Sequence, residues 1–120
     1  HLFATEAVAA AYNEGEEWLE EMLQYVEANI DYMQAYIKEH MPRLDMIRPQ
    51  ASYLVFLDAR GLQLTDEQLA QFFTHKARVA VNLGALFGEG GSGFVRMNLG
   101  CPRATLQQAL ERIKEAYDKL

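Results

Sequence analysis

The chain has 120 residues, half of them apolar, with 11 basic and 17 acidic side chains and a net charge of −6. That length and apolar content suit one domain with its own core and exclude a disordered chain, while the negative charge argues against nucleic acid as a partner. The single cysteine cannot form an internal disulfide, and the sequence contains no run of about 20 apolar residues that would predict a membrane-spanning helix. We therefore expect a cytoplasmic protein without a membrane partner.

Residues 2–12, LFATEAVAAAY, form an alanine-rich segment that favours a helix. The segment is apolar on nearly every side, and a helix of that kind is normally buried in something larger. We therefore expect the chain to be a piece of a longer protein.

Residues 15–40 predict one long helix, because apolar side chains recur at steps of three and four residues. These residues are Leu19, Met22, Leu23, Val26, Ile30, Met33 and Ile37. Trp18, Tyr25 and Tyr32 lie beside this stripe and widen the apolar face. Two interpretations stay open: a core helix with a wide contact face, or a helix that bridges two domains.

The rest of the chain alternates strands and helices. Short β-rich segments predict an edge strand within 43–48 and strands over 53–57, 78–83 and 94–99. Thr65 and Gln68 form a capping-box pattern that begins a helix with Leu69, Phe72 and Phe73 on its buried face. Pro102 begins a last helix, which buries Leu106, Ala109, Leu110, Ile113, Ala116 and Tyr117. This order predicts a two-layer α+β domain.

Several sequence features suggest chemistry but have simpler explanations. Residues 88–93 match the dinucleotide-binding pattern G-x-G-x-x-G, yet a strand follows where that motif needs a helix, so we interpret them as a connection between strands. Cys101 precedes a proline and is expected to pack; His1, His40 and His75 are scattered, and no spacing predicts a metal site. The carboxylates of the long helix are interpreted as a solvated face.

Arg96 is the strongest candidate for a binding residue. Side chains alternate along a strand, so Val95 and Met97 share one face while Phe94, Arg96 and Asn98 share the other. Arg96 is then either a solvent-exposed side chain or a bidentate fork for a carboxylate, which suits arginine geometry. Arg103, at a helix start, is expected to have a structural role.

Two blocks carry a family resemblance: residues 79–88, VAVNLGALFG, and residues 93–103, GFVRMNLGCPR. Two upstream stretches fit as well, residues 10–15 with Trp18 and Leu19, and residues 52–58. Together they resemble the C-terminal part of the pyridoxal-phosphate-dependent C–S lyases, the cystathionine β-lyases of the aminotransferase class I/II fold. The resemblance covers essentially the whole chain. One departure is Leu83, where many members have proline before the glycine.

The resemblance implies the small domain of the type I aminotransferase fold, with a long connector helix and a small, mainly antiparallel sheet. Residues 1–14 would end the helical region of a large domain, and residues 15–120 would form the small domain. Arg96 matches the arginine that binds the substrate's α-carboxylate. Lys38, Lys76, Lys114 and Lys119 do not resemble the Schiff-base lysine that the cofactor needs. We therefore expect no catalytic or cofactor-binding residue in this chain, and no activity from the chain alone.

For the full-length enzyme, the resemblance implies β-elimination from a sulfur amino acid such as cystathionine or cysteine, giving pyruvate, ammonia and a thiol. It also implies pyridoxal phosphate as cofactor, a large cofactor-binding domain in the same chain, and a homodimer. An aminotransferase also binds the substrate carboxylate through an arginine, and it is the second hypothesis for the function of the full-length enzyme. A stand-alone binding or dimerisation module is a distant third.

Overall fold

The computed structural model describes residues 2–120, so His1 lies outside the described residues. It begins with two consecutive helices, α1 (Leu2–Glu14) and α2 (Glu16–His40). Gly15 joins them: its N–H donates to the Ala11 carbonyl at 3.0 Å, and a Cβ at this position would lie only 2.4 Å from the same oxygen. The junction therefore requires glycine.

The long helix α2 is half core and half exposed. Its C-terminal half buries Val26, Asn29, Ile30, Met33 and Ile37. The predicted helix is confirmed. Of the two interpretations left open, a core helix with a wide contact face does not describe the N-terminal half, whose apolar side chains are not buried in this domain. Trp18 is 68% exposed there, and Leu19, Leu23 and Tyr25 are also exposed. Among the helices of residues 2–120, none combines the length and the apolar content of a membrane-spanning segment.

Four strands form one antiparallel sheet: β1 (Asp45–Ile47), β2 (Leu54–Asp58), β3 (Asn82–Leu83) and β4 (Phe94–Asn98). Their spatial order is β1-β2-β4-β3, so β2 and β4 are central. Arg96 of β4 lies opposite Phe56 of β2 on one side and Asn82 of β3 on the other. This register decides which side chains surround Arg96.

The strand predicted over residues 78–83 is wrong for most of its length. Only Asn82 and Leu83 pair with β4. Arg78 has a positive φ of 55°, and the Val79 N–H donates to the Phe73 carbonyl at 2.9 Å instead of to a neighbouring strand. The chain must turn out of the preceding helix here, which shortens the strand. The three other strands are confirmed, with ends shifted by one or two residues.

Two further helices cover the inner face of the sheet with α2. Helix α3 (Asp66–Gln71) begins with the predicted capping box at Thr65 and Gln68, in which both hydrogen bonds form, and it ends in a π-helical turn (Phe72–Lys76). Helix α4 (Arg103–Tyr117) follows Pro102. These helices and the inner face of the sheet bury a single core, and among its fully buried side chains are Met33, Val55, Leu57, Phe72, Phe73, Val95, Leu99, Leu106, Leu110 and Ile113. The predicted two-layer α+β architecture is confirmed.

Candidate functional site

The outer face of β4 carries the candidate site. Val95 and Met97 are buried beneath the helices, whereas Arg96 is half-buried on the opposite face, as the alternation predicts. The cross-strand neighbours Phe56 and Asn82 lie on either side of it. The guanidinium is therefore on the side of the sheet that the helices leave open.

Two uncharged groups hold the Arg96 guanidinium. Its Nη2 donates a hydrogen bond to Oδ1 of Asn82 at 3.1 Å, and its Cζ lies 4.5 Å from the centroid of the Phe87 ring. Phe87 in turn meets Phe56 edge to face, with centroids 5.8 Å apart. Within residues 2–120 no carboxylate forms an ion pair with Arg96. The positive charge is held in place but not neutralised.

One donor of this guanidinium has no acceptor. Nε of Arg96 is buried, and in the described part of the chain nothing accepts a hydrogen bond from it. Arg103 differs: it too lies over an aromatic ring, 4.8 Å from the Tyr32 centroid, but its Nε donates to Oδ1 of Asn29 at 2.7 Å. A buried donor left unpaired costs about 1–3 kcal/mol. Arg103 is thus bonded into the fold, which agrees with the structural role expected of it, whereas Nε of Arg96 has no acceptor within residues 2–120.

The glycine-rich connection between β3 and β4 places Phe87. It folds into two 3₁₀ turns, Gly84–Phe87 and Glu89–Gly91. Gly84 and Gly91 touch: a Cβ on Gly84 would lie 2.2 Å from the Gly91 carbonyl oxygen, and a Cβ on Gly91 would lie 2.0 Å from that of Gly84. Neither position accepts a side chain, so the two glycines close the loop that carries Phe87.

This loop forms one wall of a cavity of about 400 Å³ on the outer face of the sheet. Its other walls come from Ile47, Phe56 and Phe94. The loop leads into β4 and not into a helix, as predicted, so it lacks the helix N-terminus of a dinucleotide-binding motif.

Asp66 fastens the far end of the same loop. Its carboxylate accepts a hydrogen bond from the Gly93 N–H at 2.9 Å and another from the Ser92 hydroxyl at 2.8 Å. The Gly93 N–H first, and then the Ser92 hydroxyl, hold the pKa of Asp66 below its usual value because they bond to the ionised form. The loop is therefore tied to the start of α3.

The remaining sequence candidates lie apart from Arg96. Cys101 is half-buried, and burial raises the pKa of its thiol, which disfavours the reactive thiolate. His40 packs against the Tyr36 ring, with centroids 4.4 Å apart. In the described residues no group of three metal-ligating side chains comes together.

The lysines do not form a cofactor site. Lys114 pairs with Asp118 and Lys119 with Glu115, both along the last turns of α4. Lys38 lies in the last turn of α2 and Lys76 in the exposed turn after α3. None of the four is among the residues that contact Arg96. The described residues therefore do not fit pyridoxal phosphate, whose binding requires a Schiff-base lysine and an acidic partner for its ring nitrogen.

Residues 3–113 match the family model for aminotransferase class I and II. The chain belongs to this family. It is 42% identical over 114 residues to cystathionine beta-lyase PatB of Bacillus subtilis. The aligned region covers 95% of this chain and 30% of PatB. The chain thus spans about a third or less of its curated relatives.

Solved structures of the family superimpose well on this chain. Cystalysin from Treponema denticola, which contains pyridoxal 5'-phosphate, matches with a TM-score of 0.88 and 28% identity, over 91% of this chain and 28% of cystalysin. The aromatic aminotransferase of Pyrococcus horikoshii matches with a TM-score of 0.84 and 25% identity, over 94% of this chain and 30% of that enzyme. The predicted type I aminotransferase fold is confirmed.

Sequence reasoning missed the two residues that hold Arg96. Asn82 lies in a two-residue strand that is too short to show an alternating pattern, and Phe87 lies in a loop without periodicity.

Proposed function

We propose that this chain is the substrate-carboxylate-binding small domain of a pyridoxal-phosphate-dependent C–S lyase. The full-length enzyme would catalyse β-elimination from a sulfur amino acid to pyruvate, ammonia and a thiol. Residues 15–120 form the small domain, and residues 1–14 end the helical region of a large domain. The observation that carries the proposal is the Arg96 guanidinium: uncharged groups hold it on the outer face of the sheet, no carboxylate of residues 2–120 pairs with it, and its buried Nε has no acceptor.

Arg96 contributes recognition and orientation. Its planar fork matches a carboxylate, and paired charge-assisted hydrogen bonds fix both the position and the rotation of that group. Fixing the α-carboxylate also determines which bond at Cα is presented to the reacting centre, a positioning effect that lowers the barrier. The lysine and the acidic residue that the cofactor needs belong, in this proposal, to the large domain.

The large domain also explains the exposed apolar helix. Helix α1 has no buried residue, and Leu2, Phe3 and Tyr12 are among its exposed apolar side chains. In the proposed enzyme these residues pack against the large domain, because apolar surface of this extent is seldom left in water. The homodimer implied by the resemblance remains a prediction.

An aminotransferase is the second candidate, and it is favoured by the match to the aromatic aminotransferase of Pyrococcus horikoshii. That reaction also requires a carboxylate-binding arginine. The 42% sequence identity to PatB, which is named a cystathionine beta-lyase, supports a lyase. Product analysis of the full-length enzyme separates the two: a lyase releases pyruvate and thiol without a 2-oxo acid acceptor, and an aminotransferase requires the acceptor.

Substitution of Arg96 in the full-length holoenzyme tests the proposal. We expect Arg96→Ala to lower kcat/KM by about 30- to 1000-fold, or 2–4 kcal/mol, because a charged hydrogen-bond partner is lost in the transition state. Arg96→Lys keeps the charge but loses the fork, so it should recover only part of the loss. Arg112→Ala removes an exposed arginine of α4 and serves as the control. Unchanged kinetics in Arg96→Ala would remove Arg96 from the substrate site.

A further inference from the structure

We infer that Asn82 and Phe87 are positioning residues that set the orientation of the Arg96 guanidinium for a substrate carboxylate. The inference rests on the function proposed above. It assigns a role to two side chains that themselves need not touch the substrate.

The two contacts restrain different motions of the same group. The hydrogen bond from Nη2 to Asn82 Oδ1, at 3.1 Å, fixes one end of the guanidinium from the neighbouring strand β3. The Phe87 ring, 4.5 Å from Cζ, restrains the tilt of the guanidinium plane. A free arginine samples many rotamers, and ordering it on binding weakens affinity. Asn82 and Phe87 order it beforehand.

The neutrality of both partners matters as much as their position. Arg60 shows the contrasting arrangement: Asp58 accepts hydrogen bonds from its Nε and Nη2, and the carboxylate neutralises the guanidinium. An acidic residue at position 82 would do the same to Arg96 and compete with the substrate. An amide fixes the guanidinium without taking up its charge, which then remains for the ligand.

Phe87 is in turn held from two directions. Its ring packs edge to face on Phe56, which lies directly across from Arg96 on β2. Its loop is closed by the contact between Gly84 and Gly91. The ring is therefore placed by the strand register and by the loop, and not by Arg96 alone.

A double-mutant cycle in the full-length holoenzyme tests the inference. We expect Asn82→Ala to raise KM for the amino acid substrate about 10-fold, as for loss of a hydrogen bond to a charged group, and Phe87→Leu about 5-fold, as for loss of a cation–π contact. In an Arg96→Ala background both effects should fall below about twofold, because nothing is left to orient. If Asn82 and Phe87 had a purely structural role, their substitutions would still raise KM in the Arg96→Ala background.

Two variants sharpen the experiment. Asn82→Asp preserves size and should raise KM more than Asn82→Ala, since it introduces a competing charge; it tests the same contact even if Asn82→Ala fails to fold. Phe87→Tyr retains the ring and should stay near wild type. Leu86→Ala removes an adjacent side chain that is 74% exposed and is the matched control, expected to leave KM unchanged.

The outcomes separate the two proposals. If Arg96→Ala loses activity but Asn82→Ala and Phe87→Leu leave KM unchanged, or if their effects persist without Arg96, the positioning role is wrong and the proposed function stands. If Arg96→Ala itself has no effect, the proposed function fails, and the inference fails with it.

Discussion

The side-chain amide of Asn29 donates a hydrogen bond to the main-chain carbonyl of Leu99 at 3.0 Å inside the core. It also donates to the Cys101 carbonyl at 2.9 Å, and its oxygen accepts from Arg103 Nε. Asn29 is fully buried, and this one side chain therefore joins α2 to the end of β4 and the start of α4. The strand that carries Arg96 is anchored by this contact.

The first prediction concerns this anchor. Asn29→Ala should lower the free energy of unfolding by about 2–4 kcal/mol, because it leaves two main-chain carbonyls and the Arg103 side chain without their partner. Urea denaturation of the 120-residue chain measures the change. Gln24→Ala, which removes an exposed amide from the same helix, should change stability by less than about 0.5 kcal/mol. Equal effects of the two substitutions would refute the anchoring role.

The second prediction is that the free energy of unfolding depends on pH through the ionisation of Asp66. Because hydrogen bonds from Gly93 and Ser92 lower its pKa in the folded state, the unfolded state binds a proton at a higher pH than the folded state does. The stabilisation from Asp66 is thus fully present above the ordinary value of 3.8 and is lost as pH falls through the lower folded value.

Asp66→Ala removes both hydrogen bonds and should be less stable than wild type at pH 7, with the difference shrinking below about pH 4. Glu67→Ala removes a carboxylate from the same first turn of α3 and controls for the helix dipole. Free energies of unfolding from pH 7 to pH 2 provide the measurement. A difference that stays constant over this range would show that the contribution of Asp66 does not depend on its ionisation.

The sequence predicted the elements whose patterns are local. The capping box at Thr65, the alternation around Arg96 and the apolar stripe of α2 each reflect short-range geometry, and each is present. The prediction of a strand over residues 78–83 was wrong because Arg78 has a left-handed backbone conformation. That conformation depends on how the preceding helix ends, which residue propensities do not encode. Similarly, the partners of Arg96 depend on strand register and loop closure, which are tertiary properties.

The third prediction uses the contact between two glycines. Gly91→Ala would place a Cβ 2.0 Å from the Gly84 carbonyl oxygen, so the loop must open and Phe87 must shift relative to Arg96. We expect faster hydrogen exchange over residues 84–91 in the 120-residue chain. In the full-length enzyme we expect a higher KM for the amino acid. Gly90→Ala is the control, because a Cβ there meets nothing within 4 Å. Equal exchange rates in the two variants would show that the glycine contact does not close the loop.

The fourth prediction separates α1 from the core. Replacing Leu2, Phe3 and Val8 together with serine should leave the free energy of unfolding of the 120-residue chain within about 0.5 kcal/mol of wild type, since α1 buries none of its residues. Met33→Ala, at a fully buried position of α2, should cost about 2–5 kcal/mol. The triple variant should also associate less in sedimentation experiments, because it removes exposed apolar surface. A loss of stability in the triple variant comparable to that of Met33→Ala would show that α1 packs within this domain, and would contradict its assignment to the neighbouring one.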